Sequence, residues 1–190
     1  MPLARFILSA ALEVLMQKIL VLLLLAMPLS AAAQHSKSPV MDALRQSLQR
    51  AAKNTAAAAD EMPADKFGYK PTEKQMSFGK LLTHITEGNE YFCAKLSDGP
   101  EPKEADQPKE TDPKDKLVAA VRKSFDDCTS KLAGVDDSKL GEEVKVFGGR
   151  SATKAAVVLM LAGSLADHYA MAAQYLRLNG LTPPTAKEKE

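Results

Sequence analysis

Apolar residues recur at steps of three and four in four stretches of this chain, and that spacing is typical of helices with one buried face. The four stretches cover residues 39–62, 77–96, 112–132 and 151–180. Each begins at a residue type that commonly starts a helix, namely Pro39, Ser77, Asp112 and Ser151. No segment shows the alternating pattern of a strand and no internal repeat is present. The sequence therefore predicts an all-α four-helix bundle.

The last of these helices is expected to run unbroken from Ser151 to Gly180. Glycine commonly terminates a helix, and the two prolines at positions 183 and 184 prevent continuation. His168 lies on the apolar stripe of this helix. A membrane-spanning interpretation of residues 155–165 fails on length, because an aspartate and His168 follow directly. We therefore expect this helix to lie within the bundle.

The first 33 residues have the composition of a secretory signal peptide. Lys18 precedes an apolar run of about ten residues, and the alanines at 31–33 provide a small-residue cleavage site. Met16 stands where such a peptide normally begins and is a candidate for the true start. We expect a mature chain from Gln34 that is periplasmic or secreted. The alternative is an uncleaved N-terminal anchor, for which the apolar run is short.

The charge balance excludes some classes of partner. The predicted leader holds two of the 25 basic and one of the 24 acidic residues, so the mature chain carries equal numbers of each. A neutral chain without tryptophan lacks the basic surface and the stacking residues typical of nucleic-acid-binding proteins. We expect no nucleic-acid partner and, after signal cleavage, no membrane partner.

The two cysteines of the chain, Cys93 and Cys128, are expected to form a disulfide, because an even number in an exported chain favours pairing. Residues 98–111 form a polar, proline-containing linker that is expected to contribute nothing to the core. At roughly 3.3 Å per residue this linker spans about 45 Å, more than a helix of about 20 residues. The second and third helices can therefore run parallel, with both cysteines at one level. Two buried free thiols are the alternative.

Two segments resemble the DinB-like superfamily of four-helix bundles. They are FGYKPTEKQMSFGKLLTHI, residues 67–85, and DHYAMAAQYLRLNGLTPP, residues 167–184. The resemblance implies an up-down-down-up bundle over residues 34–184, within an exported subgroup of the superfamily, and homodimers as one oligomeric state. The charged residues 185–190 are expected to be a disordered tail.

The resemblance also implies a divalent metal, zinc or nickel, held by three histidines at one end of the bundle. His84 matches the first of these positions and His168 the last, whereas the remaining position is Ser164. A serine hydroxyl is a poor substitute for imidazole as a ligand of these metals. With the metal held by His84 and His168, the protein would be a hydrolase or a thiol-dependent transferase.

Other interpretations stay open from the residues themselves. The two histidines can be buried and neutral, bonded to each other, to Ser164 or to a carboxylate. Ser164 and His168 can form a Ser–His pair, although no third acid or oxyanion hole is evident. The chain can also be a non-catalytic bundle that binds an unknown small molecule or a protein. These interpretations differ in whether His84 and His168 converge beside an opening to solvent.

Overall fold

The computed structural model describes residues 37–187, and five α-helices and one β-hairpin lie within them. The helices are α1 (Pro39–Glu61), α2 (Phe78–Ser97), α3 (Lys114–Leu132), α4 (Lys154–Leu178) and the one-turn α5 (Pro184–Lys187). Strands β1 (Glu143–Lys145) and β2 (Ser151–Thr153) pair antiparallel just before α4. The predicted bundle of four long helices is confirmed. The predicted signal peptide and the candidate start at Met16 lie outside the described residues.

The core is formed by one apolar face of each long helix. In α1 the buried positions include the whole predicted stripe, from Met41 to Ala58. The loop after α1 adds two aromatic rings to this core. Phe67 packs edge-on against Phe78 at 5.3 Å between centroids, and Tyr69 packs against Tyr175 at 6.2 Å. Burial of these faces excludes water from the centre of the bundle and stabilises the helices against one another.

Side-chain contacts show that α2 and α3 run parallel. Asn89 donates a hydrogen bond to the Ser124 hydroxyl at 3.0 Å, and one turn further along both helices a disulfide joins Cys93 to Cys128. The contacts advance in the same direction along both helices, which is the parallel arrangement that the long linker permits. The predicted disulfide and the predicted parallel pair are both present.

The two outer helices run opposite to this pair. The first residue of α4, Lys154, bonds to Asp98 just beyond the end of α2, whereas Tyr175 near the end of α4 packs on Phe78 at the start of α2. Likewise, Arg45 near the start of α1 bonds to the Leu132 carbonyl at the end of α3. The topology is therefore up-down-down-up, as the resemblance implied.

The linker between α2 and α3 packs against α2 instead of hanging free. Three side-chain contacts run back along α2 in reverse order: Lys95 to Glu101, Glu90 to Gln107, and Ser77 to Glu110. The prediction that the linker returns along the bundle is confirmed. None of its residues belongs to the buried apolar core, in agreement with the expectation, and its polar side chains bond to the helix.

The start of α3 differs from the prediction. The helix begins at Lys114 after Pro113, and Asp112 does not cap it. The Asp112 carboxylate instead accepts the backbone N–H of Lys109 at 2.8 Å, which closes a turn of the linker.

The start of α4 also differs, because residues 151–153 form β2 and not the first helical turn. The α4 helix begins at Lys154, and the Thr153 hydroxyl accepts the Ala156 N–H at 3.2 Å as its cap. The loop between the strands turns through Gly148 and Gly149, whose positive φ angles of 68° and 73° favour glycine. The prediction of no strand is wrong because strands of three residues are too short to show an alternating pattern.

Lys154 fastens the hairpin to the end of α2. Its side chain is 1% exposed, and its ammonium lies 2.7 Å from Asp98 and 2.9 Å from Glu142. Burial alone would lower the pKa of Lys154, but its hydrogen bonds to the two carboxylates outweigh burial and raise the pKa. The charged form is therefore held between α2 and the strand that follows Glu142.

The C-terminal end of α4 follows the predicted pattern. Gly180 has a φ of 74°, its N–H bonds to the Arg177 carbonyl at 3.0 Å, and the Leu181 N–H bonds to the Leu176 carbonyl at 2.9 Å. These two bonds form a Schellman motif, which satisfies carbonyls that the helix end leaves free.

Part of the predicted disordered tail is ordered. Residues 184–187 form α5, in which Thr185 accepts a hydrogen bond from the Tyr169 hydroxyl at 2.9 Å. Lys187 forms an ion pair with Glu61 at 2.9 Å. These contacts with α4 and α1 explain why this segment is helical, and residues 188–190 lie outside the described part of the chain.

By length and composition alone, α4 is long and apolar enough to cross a membrane, with 25 residues and a mean hydropathy of 1.4. Only 28% of its apolar window is buried. One face packs into the core through Val157, Leu161 and Leu165, whereas Leu159 on the outer face is 73% exposed. The helix α4 thus has more apolar residues than its buried face contains.

Replacing Cys93 and Cys128 together by alanine opens a loop of 35 residues. We expect the free energy of unfolding to fall by about 3–4 kcal/mol, because the cross-link restricts the unfolded chain. Urea denaturation followed by circular dichroism measures this change. Reductant should destabilise the native chain by a similar amount and leave the double variant unchanged, and equal stability of the oxidised and reduced native chain would contradict the prediction.

Candidate functional site

His84 and His168 meet on the seam between α2 and α4. Their ring centroids are 4.8 Å apart and their planes are nearly perpendicular, at 89°. His84 lies in the second turn of α2 and His168 beyond the middle of α4, so antiparallel packing brings them to the same level. The convergence that the sequence left open is therefore present.

The two imidazoles line a cavity of about 650 Å³ that opens to solvent. Its walls come from α2, α4, the linker and the hairpin loop (residues 146–150). The lining residues are His84, Glu87, Gly88, Tyr91, Phe92, Pro102, Gln107, Phe147, Ser164 and His168. His84 is exposed and His168 is half-buried, so the alternative of two buried histidines is wrong.

Ser164 lies one turn before His168, and its hydroxyl is 3.0 Å from Nδ1 of that imidazole. Burial lowers the pKa of His168, and repulsion from His84 lowers it further, against smaller opposing effects of Asp167 and Ser164. His168 is therefore neutral at pH 7, and with Nδ1 engaged it has Nε2 left for a ligand. No carboxylate of the described chain bonds to His168, so the Ser–His pair lacks the orienting acid of a catalytic triad.

Three aromatic rings form a wall beside the histidines. Phe147 stacks on Tyr91 with centroids 4.3 Å apart and planes at 16°, and it meets Phe92 edge-on at 5.8 Å. Phe147 belongs to the hairpin loop and is 52% exposed, which is unusual for a large apolar residue without a partner surface. Phe147 was not predicted as a site residue, because it lies between the predicted helices, where the sequence shows no periodic pattern. Its position next to two glycines was the one available signal.

Gln107 brings a polar group from the linker into the cavity wall. Its amide nitrogen donates to the Glu90 carboxylate at 2.6 Å. Its amide oxygen is buried and has no hydrogen-bond partner among the residues that the structure describes. A buried acceptor without a donor is unfavourable, and such atoms in native proteins often face a ligand or water. No feature of the sequence distinguishes Gln107 from the other polar residues of the linker.

The donor groups do not fit a complete zinc or nickel site. Within residues 37–187, no three His, Cys, Asp or Glu side chains are grouped closely enough to hold an ion. The third position is Ser164, whose hydroxyl already contacts His168. Glu87 lines the cavity but lies 3.5 Å from the Lys80 ammonium, and Asp167 is exposed and outside the lining. Two imidazoles alone would hold a metal weakly.

Stability should depend on pH through His168. Its folded pKa lies below the unfolded value of 6.5, so its contribution to stability is complete above pH 6.5 and is lost as the pH falls through the folded pKa. The variant His168→Gln should therefore lose less stability on acidification than the native chain. Urea denaturation at pH 7 and pH 5 measures this difference. A His168 titration at or above 6.5, followed by NMR of its ring protons, would contradict the prediction.

The structure is similar to several solved bundles. A DinB-like protein from Bacillus subtilis has 20% identity and a TM-score of 0.61, with 73% of this chain and 92% of that protein covered. A DinB-like protein from Bacillus cereus has 17% identity and the same TM-score of 0.61, with coverages of 75% and 95%. A mycothiol-dependent maleylpyruvate isomerase has 12% identity and a TM-score of 0.55, with 68% of this chain and 59% of the isomerase covered. At these identities the similarity concerns the fold.

Comparison with curated proteins gives no match. The sequence model of the DinB superfamily, in contrast, matches residues 47–172, which include α2, α3, both histidines and most of α4. That match spans well over half of the chain and agrees with the up-down-down-up topology and the neighbouring structures. This chain therefore belongs to the DinB superfamily.

Proposed function

We propose that this protein binds a small organic molecule in the cavity between α2 and α4, without a metal ion. The observation that carries the proposal is the composition of the cavity wall, which combines the two imidazole rings of His84 and His168 with three aromatic rings. A concave site with an apolar body and a few convergent polar groups is the usual form of a small-molecule site. Its volume of about 650 Å³ suits a molecule of drug-like size.

The aromatic rings and the imidazoles of the wall make different contacts with the ligand. The aromatic rings of Tyr91, Phe92 and Phe147 remove apolar surface of the ligand from water, which supplies affinity. Nε2 of His168 and the ring nitrogens of His84 provide hydrogen bonds, which fix orientation. Because the hairpin loop and the linker close the sides, ligand entry depends on segments outside the four long helices.

A weak zinc or nickel site is a second candidate, favoured by the contact between His84 and His168. In that case the two imidazoles would hold the ion with water in the remaining positions. Metal-dependent chemistry of the hydrolase or thiol-transferase type would then need a third donor that the seam does not supply. For this reason the metal-free binding site is the better-supported function.

We place the activity outside the cytoplasm, in the periplasm or as a secreted protein. Two features support this. Residues 1–33 have the composition of a signal peptide, and Cys93 and Cys128 are joined by a disulfide, which persists in oxidising compartments.

The cavity can be filled by a side chain at Gly88. A methyl group there would meet the Ser164 hydroxyl at 3.8 Å, an ordinary contact, whereas the longer side chain of Gly88→Leu would extend into the space between α2 and α4. We expect the native chain to bind the neutral fluorescent probe N-phenyl-1-naphthylamine with saturation at one site. Gly88→Leu should weaken this binding tenfold or more, about 1.4 kcal/mol, as measured by fluorescence titration.

The matched control is Gly163→Leu. Gly163 lies on the exposed face of α4, and nothing lies within 4 Å of a methyl group added there. It should leave probe binding unchanged, because the same substitution then adds its side chain outside the cavity. Equal binding by both variants, or no saturable binding by the native chain, would overturn the proposed function.

The missing third ligand can be restored by Ser164→His, which places two histidines four residues apart on α4. The native chain should bind zinc weakly, and this variant should bind it tenfold or more tightly, about 1.4 kcal/mol, because imidazole replaces a hydroxyl. Competition with a chromophoric chelator measures the affinity of protein prepared without a histidine tag. Ser164→Ala, the control, should behave like the native chain, and native zinc affinity equal to that of the histidine variant would favour the metal-dependent candidate.

A further inference from the structure

Within the proposed small-molecule function, on which this inference rests, we infer that the cavity selects a planar amine and disfavours carboxylates and phosphates. Three independent properties of the wall lead to this class. They are the sign of its charge, the unsatisfied acceptor of Gln107 and the arrangement of the aromatic rings.

The wall carries one carboxylate, that of Glu87, and no ammonium or guanidinium group among its described residues. Lys80 lies 3.5 Å from Glu87 but outside the lining. An anionic ligand would therefore lose hydration beside a carboxylate without gaining a cation, whereas an ammonium group would gain one favourable charge contact.

Glu90 lies behind the wall and fixes the orientation of the Gln107 amide. A carboxylate accepts hydrogen bonds only, so the amide nitrogen of Gln107 must face Glu90, where it lies at 2.6 Å. The amide oxygen then faces the other way, buried and without a donor in the described part of the chain. A ligand N–H group would satisfy this oxygen, which a carboxylate or phosphate oxygen cannot do.

The aromatic wall favours a flat and cationic ligand. Phe147 and Tyr91 are stacked nearly parallel, so a planar ligand can extend the stack on the exposed side of Phe147. The Lys95 ammonium already lies 5.3 Å from the centre of the Tyr91 ring, where it is paired with Glu101. Tyr91 therefore already makes a cation contact, and the π electrons of the exposed Phe147 ring attract a cationic ligand in the same way.

Three probes with the same naphthalene body separate these properties. They are 2-naphthylmethylamine, which is protonated at pH 7, the neutral 2-naphthylmethanol and the anionic 2-naphthoic acid. Isothermal titration at pH 7 and low salt should give the tightest binding for the amine, intermediate binding for the alcohol and the weakest for the acid. We expect the amine to exceed the acid by tenfold or more.

Two variants test which residues produce the preference for the amine. Glu87→Gln removes the charge and should reduce the advantage of the amine over the alcohol. Gln107→Met removes the acceptor and should weaken the amine and the alcohol while leaving the acid unchanged. Glu73→Gln, the same change at an exposed loop position outside the lining, should alter none of the three affinities.

The outcomes distinguish this inference from the function on which it rests. If the alcohol or the acid binds as tightly as the amine, or if Glu87→Gln leaves the order unchanged, the ligand class is wrong and the small-molecule site stands. If none of the three probes binds the native chain, the proposed function fails together with the inference.

Discussion

The antiparallel packing of α2 against α4 is the constraint on which the site depends. It is fixed at both ends by specific contacts. At one end Lys154 is buried between Asp98 and Glu142, and at the other the Tyr175 hydroxyl donates to the Met76 carbonyl at 2.6 Å. A shift of one helix along the other by one turn would separate the buried ammonium from Asp98 and the Tyr175 hydroxyl from the Met76 carbonyl. The seam therefore has one register, and that register sets His84 opposite His168.

The same register also explains why space remains at this seam. Gly88 has no side chain, and Ser164 opposite it has a short one, so α2 and α4 leave a gap where larger residues would pack. Helical faces alone do not close this gap. The linker and the hairpin loop do so through Gln107 and Phe147, and both segments are held to the bundle by polar contacts. The site thus has two helical walls that carry the imidazoles and two loop walls that carry Gln107 and Phe147.

The parts predicted from sequence are those in which local pattern and tertiary packing agree. The stripe of α1, the Ser77 cap, the terminating Gly180 and the paired cysteines each follow from residue type and spacing. The convergence of His84 and His168 was accessible for the same reason, since helical rise places them at one level. Their exposure to solvent could not be predicted, because it depends on the small residues across the seam.

The two loop walls of the cavity, the linker and the hairpin loop, could not be predicted from the sequence. Gln107 lies in a segment of charged residues and prolines, and only the tertiary contact with Glu90 turns it into a wall residue. Phe147 lies beyond a three-residue strand whose pairing partner is equally short, so neither segment carries a periodic signal. Gln107 owes its position to a long-range hydrogen bond and Phe147 to stacking on Tyr91, and residue types at single positions do not encode such contacts.

This arrangement of helical and loop walls explains how the cavity could bind a ligand without a metal ion. With Ser164 at the third ligand position, the Nδ1 atom of His168 is occupied within its own helix, and the imidazole pair acts as a polar surface. Such a surface interacts with ligands through hydrogen bonds that water also makes, so it supplies orientation more than affinity. In the proposed function, affinity would then come from the aromatic rings and the carboxylate of Glu87. With serine in place of a third imidazole, the proposed site would therefore depend more on its loop walls than on the helix seam.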